Sequence, residues 1–118
     1  MNVKIITAEN FRKEAKPLLK KHASLKNDLL FLEQQLLQNP FLGIPLGSSC
    51  YKIRIAIRSK GRGKSGGARV ITFVVVEIPK QFKKNVTVKL ASIYDKSEYD
   101  TISYKDLKRI VEEIKDRK

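Results

Sequence analysis

Basic side chains stand two and four residues apart in the middle of the chain, at Lys52, Arg54 and Arg58, and the residues between them are apolar. In an extended strand, side chains two positions apart point to the same face and lie about 6–7 Å from one another. This separation is comparable to the distance between successive phosphates of a nucleic acid strand. The pattern therefore predicts a strand with one apolar face and one basic face, and the basic face predicts the binding of phosphate groups.

The excess of positive charge is concentrated in the same part of the chain. Lysine and arginine number 25 against 12 acidic residues, which gives a formal net charge of +13. No acidic residue occurs between Glu33 and Glu77. The basic residues of that window are Lys52, Arg54, Arg58, Lys60, Arg62, Lys64 and Arg69. Because a solvated surface usually mixes both signs of charge, this segregation favours a polyanionic partner such as nucleic acid.

A glycine-rich basic loop follows the predicted strand. Residues 61–66, Gly-Arg-Gly-Lys-Ser-Gly, match the dinucleotide-binding pattern G-x-G-x-x-G, and residues 63–65 resemble the end of a P-loop. Both nucleotide-binding interpretations are excluded, because a strand follows instead of a helix and position 58 is not the glycine that a P-loop needs. The loop is instead predicted to contact a nucleic acid backbone through Arg58, Lys60, Arg62 and Lys64.

Length and composition exclude several other classes. The chain has 118 residues, 42% of them hydrophobic, and is predicted to form a single domain over residues 1–118. A single cysteine, Cys50, and a single histidine, His22, cannot form an intrachain disulfide or a Cys/His zinc site, so we expect both to be structural and expect no metal or cofactor. No apolar run of about 18 residues and no signal peptide is found, so we expect a cytoplasmic protein without membrane contact.

The first elements that must position these residues are a strand and two helices. A short strand is predicted over residues 3–7 and an amphipathic helix over residues 8–22. Ser24 is predicted to begin a second helix, which Asn39 ends because proline follows it. Residues 41–49, which are rich in glycine and proline, are expected to form a loop.

The second half of the chain has an extended pattern until its last helix. Strands are predicted over residues 51–58, 68–77 and 86–94, and the second of them is apolar on both faces and therefore central. A lysine-rich turn is expected over 79–85, and Ser103 is predicted to cap a final helix. The order β-α-α-β-β-β-α predicts an α+β fold. It consists of an N-terminal strand, an αα-hairpin, three strands that continue an antiparallel sheet, and a C-terminal helix.

Two short motifs resemble a known family. Residues 63–69 read Gly-Lys-Ser-Gly-Gly-Ala-Arg, and residues 94–98 read Tyr-Asp-Lys-Ser-Glu. They resemble the hairpin Gly-Lys-x-Gly-Gly-x-Arg and the strand end Tyr-x-Lys-x-Glu of one branch of the RelE/ParE superfamily of bacterial type II toxins. The resemblance covers nearly the whole chain, and the predicted element order agrees with a RelE/ParE-like fold.

The resemblance implies a small toxin that an acidic antitoxin protein neutralises. Many relatives cut mRNA on the ribosome, whereas others inhibit DNA gyrase and cut nothing. From the residues alone, a plain nucleic-acid-binding module is a third alternative. Of these alternatives, mRNA cleavage implies an endoribonuclease that needs no metal and no small-molecule cofactor. Its expected partners are the antitoxin and mRNA on the ribosome.

The resemblance also implies a set of site residues. The basic positions of the cleaving relatives correspond here to Lys52, Arg54, Arg69 and Lys96, and their aromatic position corresponds to Tyr99 or Tyr104. We assign Lys52 as the candidate base, because neighbouring cations favour its neutral form. Arg69 is the candidate clamp for the charged phosphorane, and Lys96 or Tyr99 is the candidate acid. Tyr104 is a candidate for stacking on an RNA base.

Overall fold

The computed structural model describes residues 1–78, 83–99 and 101–116. These residues form three α-helices and a five-stranded sheet, which confirms an α+β fold. The elements are β1 (Asn2–Thr7), α1 (Glu9–Lys21), α2 (Leu25–Gln38), β2 (Ile44–Gly47), β3 (Cys50–Ile55), β4 (Ala68–Glu77), β5 (Asn85–Asp95) and α3 (Tyr104–Asp116). Two short 3-10 turns, Arg58–Lys60 and Lys64–Gly66, lie between β3 and β4.

The sheet has the strand order β1-β5-β4-β3-β2. β4 lies at its centre, as predicted from the apolar character of both its faces. β2, β3, β4 and β5 pair antiparallel with their neighbours, whereas β1 pairs parallel with β5, so that Asn2 lies opposite Asn85. The predicted antiparallel sheet is therefore wrong in one respect. The sheet is mixed, because β1 runs parallel to its neighbour β5, the last strand. It does not pair with β2 or β3, the strands that follow α2.

A short additional strand replaces part of the loop expected over residues 41–49. β2 pairs with β3 across a two-residue turn, Ser48–Ser49, whose φ angles are +53° and +63°. Tight hairpins need positive φ at both central positions, and asparagine and glycine are the usual residues there. Two serines carry no such signal, and for this reason the loop prediction fails at β2.

Helices cover both faces of the sheet. α1 and α2 pack on one face, where Leu25 and Leu32 join the inward residues of β3, β4 and β5. α3 packs on the other face through Leu107 and Ile110. Cys50 belongs to this second core, and side chains two positions apart on β3 share its face. The basic face of β3 is thus the face on which α3 packs.

Most predicted boundaries lie close to the observed ones. α2 follows Ser24 and ends before Asn39, and the Ser103 hydroxyl accepts a hydrogen bond of 3.1 Å from the Asp106 N–H at the start of α3. These observations confirm the predicted start and end of α2 and the predicted cap of α3. The strand expected over 51–58 ends early, at Ile55, where the chain turns toward α2. Residues 79–82 of the predicted turn lie outside the described residues.

Candidate nucleic-acid interface

Three of the predicted basic residues lie together on the α3-facing side of the sheet. Arg54 of β3 is the cross-strand partner of Arg69 of β4, and Arg69 is in turn the partner of Tyr94 of β5. Lys52 lies two residues from Arg54 on the same face of β3. Directly opposed residues have Cβ atoms about 5 Å apart. Lys52, Arg54 and Arg69 therefore form one group of cations, here called the cationic row.

Burial separates the members of the cationic row. Arg54 is exposed, whereas Lys52 and Arg69 are only 6% and 2% exposed. The Lys52 ammonium donates a hydrogen bond of 3.1 Å to the Thr101 hydroxyl, and the Arg69 guanidinium donates one of 2.9 Å to the Lys64 carbonyl. A ligand from solvent therefore meets Arg54 first. Lys52 and Arg69 supply positive charge below it and hold the neighbouring loops.

An aromatic pair continues the row on β5. The Tyr94 ring is buried and stacks on the Tyr99 ring, with 4.2 Å between the centroids and an angle of 19° between the planes. Tyr99 is 40% exposed, so its ring reaches solvent at the end of the row. The structure therefore brings Tyr99, one of the two predicted aromatic candidates, next to the partner of Arg69.

The surroundings of Tyr99 hold its hydroxyl in the protonated form. Burial raises the pKa of Tyr99, the carboxylates of Glu14, Glu98 and Asp106 raise it further, and Arg109 opposes them. A tyrosine with a raised pKa keeps its proton at neutral pH. Tyr99 therefore stays protonated and can donate a hydrogen bond, but the raised pKa makes it a weaker proton donor than an ordinary tyrosine.

Lys96 and Tyr104 lie at the ends of the segment between β5 and α3. Lys96 is exposed, and its backbone N–H donates a hydrogen bond of 3.1 Å to the Gly67 carbonyl. This bond fixes the turn after β5 against the start of β4, so Lys96 lies beside the glycine-rich loop. Tyr104 is the first residue of α3 and is 73% exposed. Both side chains are accessible to a ligand.

Arg58 does not lie where the sequence placed it. Because β3 ends at Ile55, Arg58 begins a 3-10 turn and is not on the basic face of the strand. Its guanidinium lies over the Phe31 ring, 5.6 Å from the ring centroid, and its Nε is 3.9 Å from the Asp28 carboxylate. The predicted shared face is wrong for this residue, which belongs to the α2 side of the molecule.

The other basic residues of the loop differ in their surroundings. Lys60 forms an ion pair of 2.9 Å with Asp95, which leaves it unsuited to hold a phosphate. The Arg62 side chain lies against Gly66, since a Cβ built on that glycine would be 2.5 Å from the Arg62 Cβ. Lys64 is exposed. Arg62 and Lys64 are thus the loop residues whose charge faces solvent.

A small groove opens at the edge of the sheet, between α2 and the basic loop. It has a volume of about 90 Å³. We call it the edge groove, and its lining residues are Asp28, Phe31, Gln35, Arg54, Ile55, Ala56, Arg58 and Lys64. Sequence reasoning missed Phe31. The signal was present, because Phe31 lies outside the helical stripe of Leu25, Leu32 and Leu36 that packs in the core.

A buried carboxylate organises the far end of the loop. Asp95 is 3% exposed and faces His22, whose Nε2 is 3.4 Å from the carboxylate, as well as Lys60. Burial by itself would raise the pKa of Asp95. Hydrogen bonds from the Ser97 N–H and hydroxyl and from Lys60 outweigh burial and hold that pKa well below its usual range. His22 therefore has the structural role that the sequence predicts.

The lowered pKa of Asp95 predicts a loss of stability in acid. A carboxylate whose folded pKa lies below its ordinary value of 3.8 contributes stability that is complete above about pH 5 and is lost as the pH falls. Asp95→Asn is expected to cost about 1–3 kcal/mol at neutral pH, because it removes charge-assisted hydrogen bonds. Its stability should then fall less than that of the wild type between about pH 5 and pH 3.

Urea unfolding at several pH values measures both effects. The matched control is Glu112→Gln, which also removes one negative charge but from an exposed position on α3. The control is expected to follow the wild-type pH dependence. Parallel pH profiles for Asp95→Asn and the wild type would contradict the assignment.

Cys50 has no chemical role in this arrangement. It is fully buried, and burial raises the pKa of its thiol to about 11, with a smaller opposing effect of Lys115. The thiolate needed for nucleophilic chemistry is therefore scarce at neutral pH.

Within residues 1–78, 83–99 and 101–116, no three or more His, Cys, Asp or Glu side chains are grouped so as to hold a metal ion. In the same ranges, no helix has both the length and the apolar character needed to cross a membrane.

The arrangement as a whole is suited to a phosphodiester. Arg54 offers a forked set of donors at the surface, positive charge lies below it, and the stack of Tyr94 and Tyr99 lies at the β5 end of the row. No model of a known protein family matches the chain, and a search of curated proteins found no significant match. The functional interpretation therefore depends on these residues and on the two sequence motifs.

Proposed function

We propose that the protein is the toxin of a type II toxin–antitoxin pair and that it cuts mRNA on the ribosome without a metal ion. The observation that carries the proposal is the cross-strand pairing of Arg54 with Arg69, on the face of β3 that also holds Lys52. The stack of Tyr94 and Tyr99 at the end of the row supports it. In this proposal the fold is RelE/ParE-like, and β2 is an addition to the β-α-α-β-β-β-α order.

The proposed reaction uses the 2′-hydroxyl of the substrate. Its oxygen attacks the adjacent phosphorus, the bond from phosphorus to the 5′-oxygen breaks, and the products carry a 2′,3′-cyclic phosphate and a 5′-hydroxyl. One proton leaves the 2′-hydroxyl and one is given to the 5′-oxygen. Arg54 and Arg69 stabilise the added negative charge, and Tyr99, or Lys96 beside it, donates the proton to the leaving group.

Lys52 is the candidate base in this reaction. It is buried and bonded to Thr101 in the free protein. Its role therefore requires that the contact with Thr101 opens when RNA enters. The few exposed groups around Arg54 give little surface to position RNA unaided, which supports dependence on the ribosome. An acidic antitoxin is the expected inhibitor, because opposite charge favours binding over the basic loop.

The burial of Lys52 and Arg69 favours a second candidate, which is binding without cleavage. In this alternative both side chains are structural, and the exposed cations Arg54, Arg62 and Lys64 bind a target. The target is either a nucleic acid or a protein such as DNA gyrase. Binding of a nucleic acid would weaken steeply as the salt concentration rises.

Induction of the protein in growing bacteria separates these candidates. The proposal predicts growth arrest and new mRNA 5′ ends within translated codons, which sequencing of RNA ends measures. It also predicts that purified ribosomes are needed for efficient cutting in vitro. A change of plasmid supercoiling without new mRNA ends would assign gyrase inhibition. Normal growth without either change would leave a plain nucleic-acid-binding module.

A further inference from the structure

Phe31 is an aromatic side chain on the surface of α2. It is 55% exposed, although the buried stripe of the helix passes through Leu32 beside it. The exposed part of an apolar ring adds nothing to the burial that stabilises the fold. The Arg58 guanidinium lies over one side of the ring, 5.6 Å from its centroid, and the exposed part of the ring leaves room for a second planar group.

Hydrogen bonds to the first residues of α2 hold the backbone of Arg58 beside this ring. The buried Asp28 carboxylate accepts a hydrogen bond of 2.7 Å from the Ser24 hydroxyl and one of 3.2 Å from the Arg58 N–H. The Ser59 N–H donates a bond of 2.8 Å to the Ser24 hydroxyl oxygen. These bonds attach the 3-10 turn to the beginning of α2. The backbone of Arg58 is therefore held close to the ring, which removes part of the entropy cost of binding.

The edge groove beside Phe31 has the size and charge of a phosphate site. Its volume of about 90 Å³ is that of roughly three water molecules, which suits a phosphate. Arg54, Arg58 and Lys64 line it, together with the half-buried Gln35. Its one carboxylate, Asp28, is already engaged by Ser24 and by Arg58.

We propose that the edge groove binds one nucleotide of single-stranded RNA, with its base stacked on Phe31 and its phosphate between Arg54 and Lys64. The inference rests on the proposed function, because Arg54 belongs to both the groove and the cationic row. An unpaired base offers a free face for stacking, whereas a base inside a duplex does not. A nucleotide carries a planar base beside a phosphate and so matches an exposed ring beside cations, whereas an apolar protein partner would leave these cations without a counter-charge.

Binding of a labelled, single-stranded oligoribonucleotide, measured by fluorescence anisotropy at low salt, tests this inference. The oligonucleotide carries 2′-O-methyl groups, which remove the attacking hydroxyl, so binding is measured without cleavage. Phe31→Leu is expected to weaken binding by about 5- to 100-fold, because one base loses its stacking partner. Phe31→Tyr, which keeps the ring, should bind like the wild type.

Leu30→Ala is the matched control. Leu30 is a similarly exposed apolar residue on the same helix, but it does not line the edge groove. It is expected to leave RNA binding unchanged, and Phe31→Leu is expected to leave the weaker binding of duplex RNA unchanged. Lys64→Gln should reduce the salt dependence of single-strand binding by about one phosphate contact.

The outcomes separate this inference from the proposed function. Equal single-strand binding by the wild type and Phe31→Leu would overturn the inference, whatever the cleavage assay shows. Binding that depends on Phe31 in a protein that cuts no RNA would support the inference and overturn the proposed cleavage. Loss of a protein partner, with RNA binding unchanged, would assign the groove to a protein contact and overturn the inference.

Discussion

Arg69→Met is expected to lower the rate of ribosome-dependent mRNA cleavage by a factor on the order of 10²–10³. Arg69 is the cross-strand partner of Arg54, and its charge lies below the surface where a phosphodiester would bind. Arg69 is bonded to the Lys64 carbonyl in the free protein, so its role requires that this contact opens when RNA enters; removing a donor from a transition state then has this magnitude of effect. Arg69→Lys, which keeps the charge but loses the forked geometry, should lie between the variant and the wild type. Fragment yields over time on programmed ribosomes measure the rates.

Two controls separate loss of chemistry from loss of structure or net charge. Lys26→Met also removes one positive charge, but from an exposed position on α2, and should cut RNA at the wild-type rate. Thermal unfolding by circular dichroism reports whether Arg69→Met keeps its fold, which is relevant because Arg69 also donates to the Lys64 carbonyl. A folded Arg69→Met protein with undiminished cleavage would show that the cationic row does not carry the reaction.

Gly67→Ala is expected to destabilise the fold by about 2–4 kcal/mol. A Cβ at this position would overlap with the carbonyl oxygen of Ile55 and crowd the Ala56 Cα, and both are backbone atoms that cannot rotate away. Relief would require β4 to shift against β3. The Gly67 carbonyl also accepts the hydrogen bond from the Lys96 N–H, so the turn after β5 would move as well.

The adjacent glycine provides the control for Gly67→Ala. A Cβ at Gly66 would lie 2.5 Å from the Arg62 Cβ, which moves only with its backbone, but Arg62 stands in an exposed loop and not in a paired strand. Gly66→Ala is therefore expected to lower the free energy of unfolding by less than Gly67→Ala does. Urea unfolding of the two variants and the wild type measures the difference. Similar midpoints for Gly67→Ala and Gly66→Ala would contradict the tight approach of β3 and β4 at this point.

Local patterns predicted the elements well, because each depends on residues close in sequence. The boundaries of α2 follow from Ser24 and from the residue before Pro40, and the central place of β4 follows from apolar residues on both faces. The parallel pairing of β1 with β5 depends on residues about 80 positions apart, which no local pattern reports. The Ser48–Ser49 turn was not predicted for a different reason, which is that serine rarely adopts positive φ.

The residues of the candidate site were predictable from the sequence, but the extent to which their side chains are buried was not. The alternation of Lys52 and Arg54 and the arginine after the glycine-rich loop were sufficient to predict that these cations share a sheet face. Their burial could not be predicted, because it depends on α3 and on Thr101, which follow much later in the chain. Arg58 was misplaced because the alternating pattern continues beyond the point where β3 ends.

The register between β1 and β5 has a consequence for synthesis of the protein. Asn2 leaves the ribosome about 80 residues before Asn85, the residue it pairs with. Until then β1 has no neighbouring strand to pair with, and the core under α1 and α2 lacks the side chains of β5. Such a long separation between contacting residues slows folding. A nascent chain therefore cannot complete this sheet until β5 has been synthesised.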